Sequence, residues 1–123
     1  MSVSDIMKRN VVKIERDAPA RDAMKIMIEN DIGSLLVEKG SDYGIITRKD
    51  IVNKVIACGK NPMEVKVRDI MTESILTVSP DMSITETARL MAKTNVRRFP
   101  VVDDDGKLVG IVSNSDILRS TIP

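Results

Sequence analysis

The 123-residue sequence has no histidine, no tryptophan, one cysteine and only two aromatic residues, Tyr43 and Phe99. Each shortage removes a class of function. Without histidine there is no Ser-His-Asp or Cys-His arrangement and no zinc site of ordinary type, and a general base near neutral pH would have to be a strongly shifted Glu, Asp or Lys. The expectation is a protein that is not an enzyme and carries no catalytic cofactor and no metal. One cysteine excludes an intrachain disulfide, and with no histidine to activate it Cys58 reads as an ordinary residue near a helix end. Two aromatic rings make no stacking platform for a nucleic acid strand. No apolar run approaches the roughly 18 residues of a transmembrane helix, and the N-terminus lacks a signal-peptide core, so the expectation is a soluble, cytoplasmic chain with no membrane partner. Neither charge sign is in excess: Lys+Arg 19 against Asp+Glu 18 leaves +1, and any basic site has to be local.

What is there is a repeat. Val3-Ser4-Asp5-Ile6-Met7 lines up with Val67-Arg68-Asp69-Ile70-Met71, and the same spacing holds without a gap through Asp17/Asp81 and Met27/Met91 to Val37/Val101. Beyond that point the second copy gains two residues, so that Gly44 matches Gly110 and Asp50 matches Asp116. Identity is sparse, yet the register of apolar positions is kept. Gly59-Lys60-Asn61-Pro62 is a helix stop and the one convincing internal boundary, giving repeat 1 over residues 1–60 and repeat 2 over 61–123.

Each copy predicts the same elements. Asp-Ile-Met opens a short helical turn. An apolar strand follows, Val11 to Ile14 in the first copy and Ile75 to Val78 in the second. The spacing of Ala20, Ala23, Met24 and Met27, echoed at Ile84, Thr87, Ala88 and Met91, predicts an amphipathic helix. Ser83 with Glu86 predicts a capping box for the second of these helices, and Pro19 sits at the matching place in the first. Ser34 to Glu38 and Tyr43 to Thr47 then form a hairpin, as do Arg98 to Val102 and Leu108 to Ser113. The Asp103-Asp104-Asp105-Gly106 stretch between the latter reads as a solvated turn, because the distant bidentate Glu of a calcium loop is missing. A closing helix runs from about Arg48 to Cys58 and from about Asn114 to Ser120. The order is β-α-β-β-α written twice, an α/β (α+β) architecture. Neither copy can hide its own apolar faces, so the two pack together. The methionines Met24, Met27 and Met91 fall on core faces, where they fill gaps.

The junction into each closing helix is the densest signal. Gly110-Ile111-Val112-Ser113-Asn114-Ser115-Asp116 repeats Gly44-Ile45-Ile46-Thr47-Arg48-Lys49-Asp50: glycine, β-branched run, hydroxyl residue, and a carboxylate three positions later. Ser or Thr followed three residues on by an acid is a helix capping box. The acid here is Asp in both copies, shorter than the usual Glu or Gln, which leaves its carboxylate free to face outward, and the exposed N–H groups of such a turn suit an anion.

The doubled Asp-Ile-Met start, the β-α-β-β-α order, Arg97-Arg98-Phe99-Pro100-Val101-Val102-Asp103 before a glycine turn, and Gly-x-x-Ser/Thr-x-x-Asp at each end resemble a tandem pair of CBS (cystathionine β-synthase) domains, a Bateman module. The resemblance covers nearly the whole chain. It implies a pseudo-two-fold pair of CBS repeats that binds an adenosine-containing ligand (AMP, ADP, ATP or an S-adenosylmethionine-like compound) in clefts between the repeats, forms a homodimer and signals to a protein partner. By the same resemblance, Asp116 would contact ribose and Ser113 phosphate, with Arg97, Arg98, Phe99, Pro100 and the strand of Ile75, Leu76, Thr77 and Val78 lining one cleft. Asp50, Thr47, Ser34, Leu36 and the strand of Val11, Val12, Lys13 and Ile14 would serve the other. The copies differ in chemistry. Where the second has Arg97, Arg98 and Pro100, the first has Gly33, Ser34 and Leu36, which offer no guanidinium for phosphate, although Arg48 and Lys49 stand nearby. The Asp116 cleft is therefore expected to take a phosphorylated nucleotide more tightly, and the Asp50 cleft a less anionic adenosine compound.

Two other readings fit the same residues. One is a constitutive dimerisation or scaffold subunit whose clefts are vestigial, which would ignore nucleotides. The other is a nucleic-acid-binding module using Arg97, Arg98 and Arg119, which would bind with steep salt dependence.

Overall fold

Helical spacing and turn chemistry act locally, and they produce the elements where the sequence places them. The computed structural model describes residues 1–122; Pro123, the last residue of repeat 2, lies outside them. In chain order the elements are α1 (Val3–Ile6), α2 (Ala20–Asn30), β1 (Ser34–Lys39), β2 (Asp42–Thr47), α3 (Arg48–Ile51), α4 (Val67–Ile70), α5 (Ile84–Thr94), β3 (Arg98–Val102), β4 (Leu108–Ser113) and α6 (Asn114–Ser120). Helix α3 runs directly into a π-helical turn, Val52–Ile56. The fold is mixed α+β, with two antiparallel two-stranded sheets, β1-β2 and β3-β4.

Helix α2 begins at Pro19, whose fixed φ suits a helix start, and buries Ala20, Ala23 and Met27. Helix α5 begins at Ser83, whose side chain accepts from the Glu86 N–H at 3.1 Å; only this half of the expected capping box forms. Both helices end on a left-handed residue, Asp31 (φ 50°) and Asn95 (φ 57°), which Asp and Asn tolerate better than branched side chains. The β3-β4 turn is held by Asp103, whose carboxylate accepts from Asp105 N at 3.0 Å and Lys107 N at 2.9 Å. The two residues gained by the second copy fall here, with a register shift between Val101 and Val102.

The early strands do not form as strands. Residues 11–14 make a single parallel bridge, Ile14 N to Leu36 O and Leu36 N to Val12 O, both 3.0 Å. Residues 75–78 also make one bridge, in which Val78 N to Pro100 O at 3.0 Å matches Ile14 N to Leu36 O while the second bond is instead Val102 N to Val78 O at 2.9 Å. Pro100 stands where repeat 1 has Leu36 and has no N–H to give, so the bond corresponding to Leu36 N to Val12 O cannot form.

The chain divides into two compact units that do not follow the repeat boundaries. One comprises Met1–Val11 with the chain from Leu76 onward, the other Val12–Ile75. Each Asp-Ile-Met leader is built into the unit of the other repeat. In the first unit, Val3 N donates to Met82 O and Ser4 N to Pro80 O, both at 2.9 Å. In the second, the counterpart bonds are Val67 N to Ala18 O and Arg68 N to Arg16 O, again at 2.9 Å. Each unit has its own core. Phe99, Val101, Val112, Met91 and Val78 close over the leader residues Val3 and Met7. Leu35, Val37, Ile46, Val55 and Met27 close over Val67, Ile70 and Met71.

Candidate functional site

The hairpin register sets the site. Arg98 lies opposite Ser113 across β3-β4, and Ser34 opposite Thr47 across β1-β2. The last residue of each second strand is also the N-cap of the closing helix. A backbone bond ties the helix start to the residue before each first strand, Asn114 N to Arg97 O at 2.9 Å and Arg48 N to Gly33 O at 3.1 Å. The fold therefore gathers Arg97, Arg98, Ser113 and Asp116 at one junction and Ser34, Thr47 and Asp50 at the other.

The carboxylates do not face outward as their length suggested. Ser113 N and Ser113 Oγ donate to Asp116 Oδ2 at 2.9 and 3.0 Å, while Asp116 N donates to Ser113 Oγ at 3.2 Å. Thr47 and Asp50 repeat this at 3.0, 3.1 and 3.2 Å. The extended N-cap backbone, φ −120° and ψ 164° at Ser113, brings its N–H close enough that Asp closes the box without the extra methylene of Glu. The second oxygen of each acid faces a cation: Arg119 Nη2 donates to Asp116 Oδ1 at 2.5 Å, and Lys54 Nζ lies 3.2 Å from Asp50 Oδ1. Asp116 is buried, its side chain 3% exposed beneath an Arg119 that is 60% exposed; the Asp50 side chain is 14% exposed. A carboxylate oxygen has two acceptor directions. Oδ2 of Asp116 uses both and Oδ1 one, so Oδ1 is the atom on which a further donor can act.

Other expected residues contribute differently. Phe99, Pro100 and Leu36 have fully buried side chains, so they can offer a ligand only backbone, and the Phe99 ring belongs to the core. Val78 and Val12 are engaged through the bridges described above, while Leu76 and Thr77 are exposed and Ile75 and Val11 half-buried. Lys13 is exposed and paired to Glu38. With Ile14 it lines an open cleft of about 540 Å³ among Glu15, Asp22 and Glu38, a cleft that does not take in Thr47 or Asp50.

The contrast in charge between the junctions is reinforced by a pairing the sequence did not reveal. Arg48, one of the cations near the Asp50 junction, is 3.6 Å from Asp31, and at the corresponding position the other unit has the neutral Asn95. In the unit that holds Asp50, Arg16 donates to Glu73 at 2.8 Å. That hydrogen bond and its charge hold the Glu73 carboxyl below the usual carboxylate value. Met24 and Met27 do more than fill core gaps: with Ile28, Ile51, Val52 and Ile56 they line an apolar groove of about 360 Å³. Among the described residues, no helix is long and apolar enough to cross a membrane.

The sequence profile of the CBS domain matches residues 3–57 and again residues 67–122. The chain belongs to the CBS domain family. An uncharacterized protein from Methanopyrus kandleri is 44% identical over 124 residues, which covers 97% of this chain and 62% of that protein's length. Among solved structures, the hexameric CBS-CP12 protein from bloom-forming cyanobacteria is 40% identical, with a TM-score of 0.89 over 98% of this chain and 72% of that one. The CBS domain pair of protein MJ0100, solved in complex with 5′-methylthioadenosine and S-adenosyl-L-methionine, is 32% identical, with a TM-score of 0.83 over 98% of each chain.

Proposed function

We propose that this CBS pair is a regulatory module without catalysis of its own, which binds an adenosine-containing ligand at its strand-to-helix junctions and presents its liganded state to a protein partner. The observation that carries the reading is the buried Asp116 carboxylate and its half-buried counterpart Asp50, each fixed by its own cap with one oxygen left to accept another donor. A ligand hydroxyl from ribose would donate to Asp116 Oδ1, while Arg97 and Arg98 at the same hairpin mouth suit phosphate. Asp50 and Thr47 would form a second, weaker site for a less anionic compound, because Arg48 is already paired with Asp31. The bound adenosine compounds of the MJ0100 pair support the ligand class. A ligand at a hundred times its dissociation constant should raise the unfolding free energy by about 2.7 kcal/mol. Thermal unfolding with AMP, ADP, ATP, S-adenosylmethionine and 5′-methylthioadenosine tests this. The expected result is a stabilisation that saturates with at least one of them, and no shift at millimolar ligand would overturn it.

One observation favours the scaffold reading instead: every oxygen of both carboxylates already has a partner within the chain, as in a purely structural cap. That reading predicts self-association indifferent to nucleotide. In either case a second copy of the chain is the partner proposed for the apolar groove. Its rim exposes Ile28 (78%), Val52 (51%) and Ile56 (53%), an unusual cost in water unless covered. Leu118 and Ile122, the repeat counterparts of Val52 and Ile56, are 68% exposed each and are projecting side chains of the size such a groove accepts. Sedimentation velocity is expected to give a dimer that Ile28→Glu converts to monomer, and an unchanged sedimentation coefficient would place the interface elsewhere.

A further inference from the structure

The carboxylate assigned to the ligand is not waiting empty. Asp116 Oδ1 is capped by the guanidinium of Arg119, one turn further along α6, at 2.5 Å. The carboxylate itself is almost wholly shielded, and Arg119 is the more exposed partner, 60% against 3%. A hydroxyl that bonds to Oδ1 shares that oxygen with the arginine or replaces it. Exposed ion pairs are individually weak, so such a cover is easily displaced, yet it neutralises a carboxylate that would otherwise sit shielded and unpaired.

We infer that Arg119 is an intramolecular competitor for the ligand, a latch that occupies the ligand-facing oxygen of Asp116 until a hydroxyl-bearing compound displaces it. This inference rests on the proposed role of Asp116 and adds to it a residue whose removal should improve binding. Two consequences follow from the geometry. A hydroxyl that takes the place of the guanidinium on Oδ1 breaks the Arg119–Asp116 pair, so the measured affinity is lower than the junction could provide. The released guanidinium stays within a turn of the site, where an anionic ligand can recover part of its charge and a neutral one cannot. At the other junction Lys54 lies 3.2 Å from Asp50 Oδ1 and also donates to the Ile70 carbonyl at 2.8 Å, which ties that cation to the α4 leader.

The sign of the Arg119 effect separates a latch from a ligand-binding arginine. Binding of adenosine, which is neutral, and of AMP is measured by isothermal titration calorimetry on the full chain for the wild type, Arg119→Ala and Asp116→Asn. Arg119→Ala should bind adenosine about three- to fivefold more tightly, the worth of a partly exposed ion pair, with a smaller gain for AMP. Asp116→Asn should weaken both ligands by about tenfold or more. If Asp116→Asn weakens binding while Arg119→Ala leaves adenosine unchanged or weakens it, the latch is overturned and the role of Asp116 stands. If neither ligand binds the wild type or either variant, both are overturned. Reversible thermal unfolding of each variant confirms that affinities are compared between folded proteins.

Discussion

Phe99→Ala is expected to lower the unfolding free energy by about 3–5 kcal/mol, the range for deleting a large buried aromatic side chain. Phe99 is the only phenylalanine in the chain, is 0% exposed, and sits among Val3, Met7, Val78, Met91, Val101 and Val112. None of these neighbours is large enough to fill the space of a ring, and three are β-branched residues held in strand or bridge positions, so the cavity would stay open rather than collapse. Urea denaturation of the wild type and the variant measures the loss directly. The same substitution separates two roles for this residue. The resemblance to CBS pairs placed it beside the ligand, whereas its burial makes it the centre of a core, and a loss below about 1 kcal/mol would mean that the packing described here is wrong.

The second large effect is expected from a single methyl group. A Cβ added to Gly110 would stand 2.8 Å from the Lys8 carbonyl and 2.7 Å from Met7 Sδ, and one added to Gly44 would stand 2.7 Å from the Thr72 carbonyl. The thioether could swing aside, but the backbone oxygens cannot, because each belongs to a leader held by paired bonds. These are Lys8 N to Ile111 O and Ile111 N to Lys8 O in one unit, and Thr72 N to Ile45 O and Ile45 N to Thr72 O in the other, all at 2.9 Å. Gly110→Ala must therefore push the leader off the strand. Overpacking costs about 1–3 kcal/mol and the two lost bonds about 1 kcal/mol each, so a total of about 3–5 kcal/mol is expected. Amide hydrogen exchange locates the damage: Lys8 and Ile111 should lose protection in Gly110→Ala, and Ile45 and Thr72 in Gly44→Ala. Uniform loss across the chain, or none, would contradict the close approach of leader and strand.

These glycines show where sequence reasoning reached and where it stopped. Hairpins, closing helices and the amphipathic α2 and α5 were legible because their determinants lie within a few residues: a glycine turn, a hydroxyl cap, an apolar stripe of helical period. The repeat was legible because the apolar register survives sparse identity. What could not be read was any pairing between segments far apart in sequence. Met7 and Met71 read as parts of helical turns, but nothing local says that each leader closes the core of the other repeat. Gly44 and Gly110 carried a usable signal. Neither has a positive φ, so a glycine inside an otherwise β-branched run had to mean a close backbone neighbour. The early strands misled for a related reason. Val11 to Ile14 has strand composition, but only one bridge is offered to it, and at Pro100 the second copy has no donor with which to extend the ladder.

At the site, the hydroxyl and carboxylate positions were legible and their orientation was not. Asp116 and Asp50 were expected to point away from the cap because of their length. The extended backbone at Ser113 and Thr47 draws them in, leaving one oxygen of each for a cation. The partners of those oxygens, Arg119 and Lys54, lie on the helices that follow, three and four residues on. That spacing is readable in a sequence once the acid is known to face along its own helix. The pairing of Arg48 with Asp31 joins positions on two elements, and only the folded hairpin and helix bring them together.

Calorimetric titration of the wild-type chain with AMP, set beside Asp116→Asn, asks most directly whether the Asp116 carboxylate receives a ligand. Saturable binding to the wild type that weakens by about tenfold or more in the variant is the predicted result. Equal affinity in the two proteins, or no heat of binding in either, would contradict it.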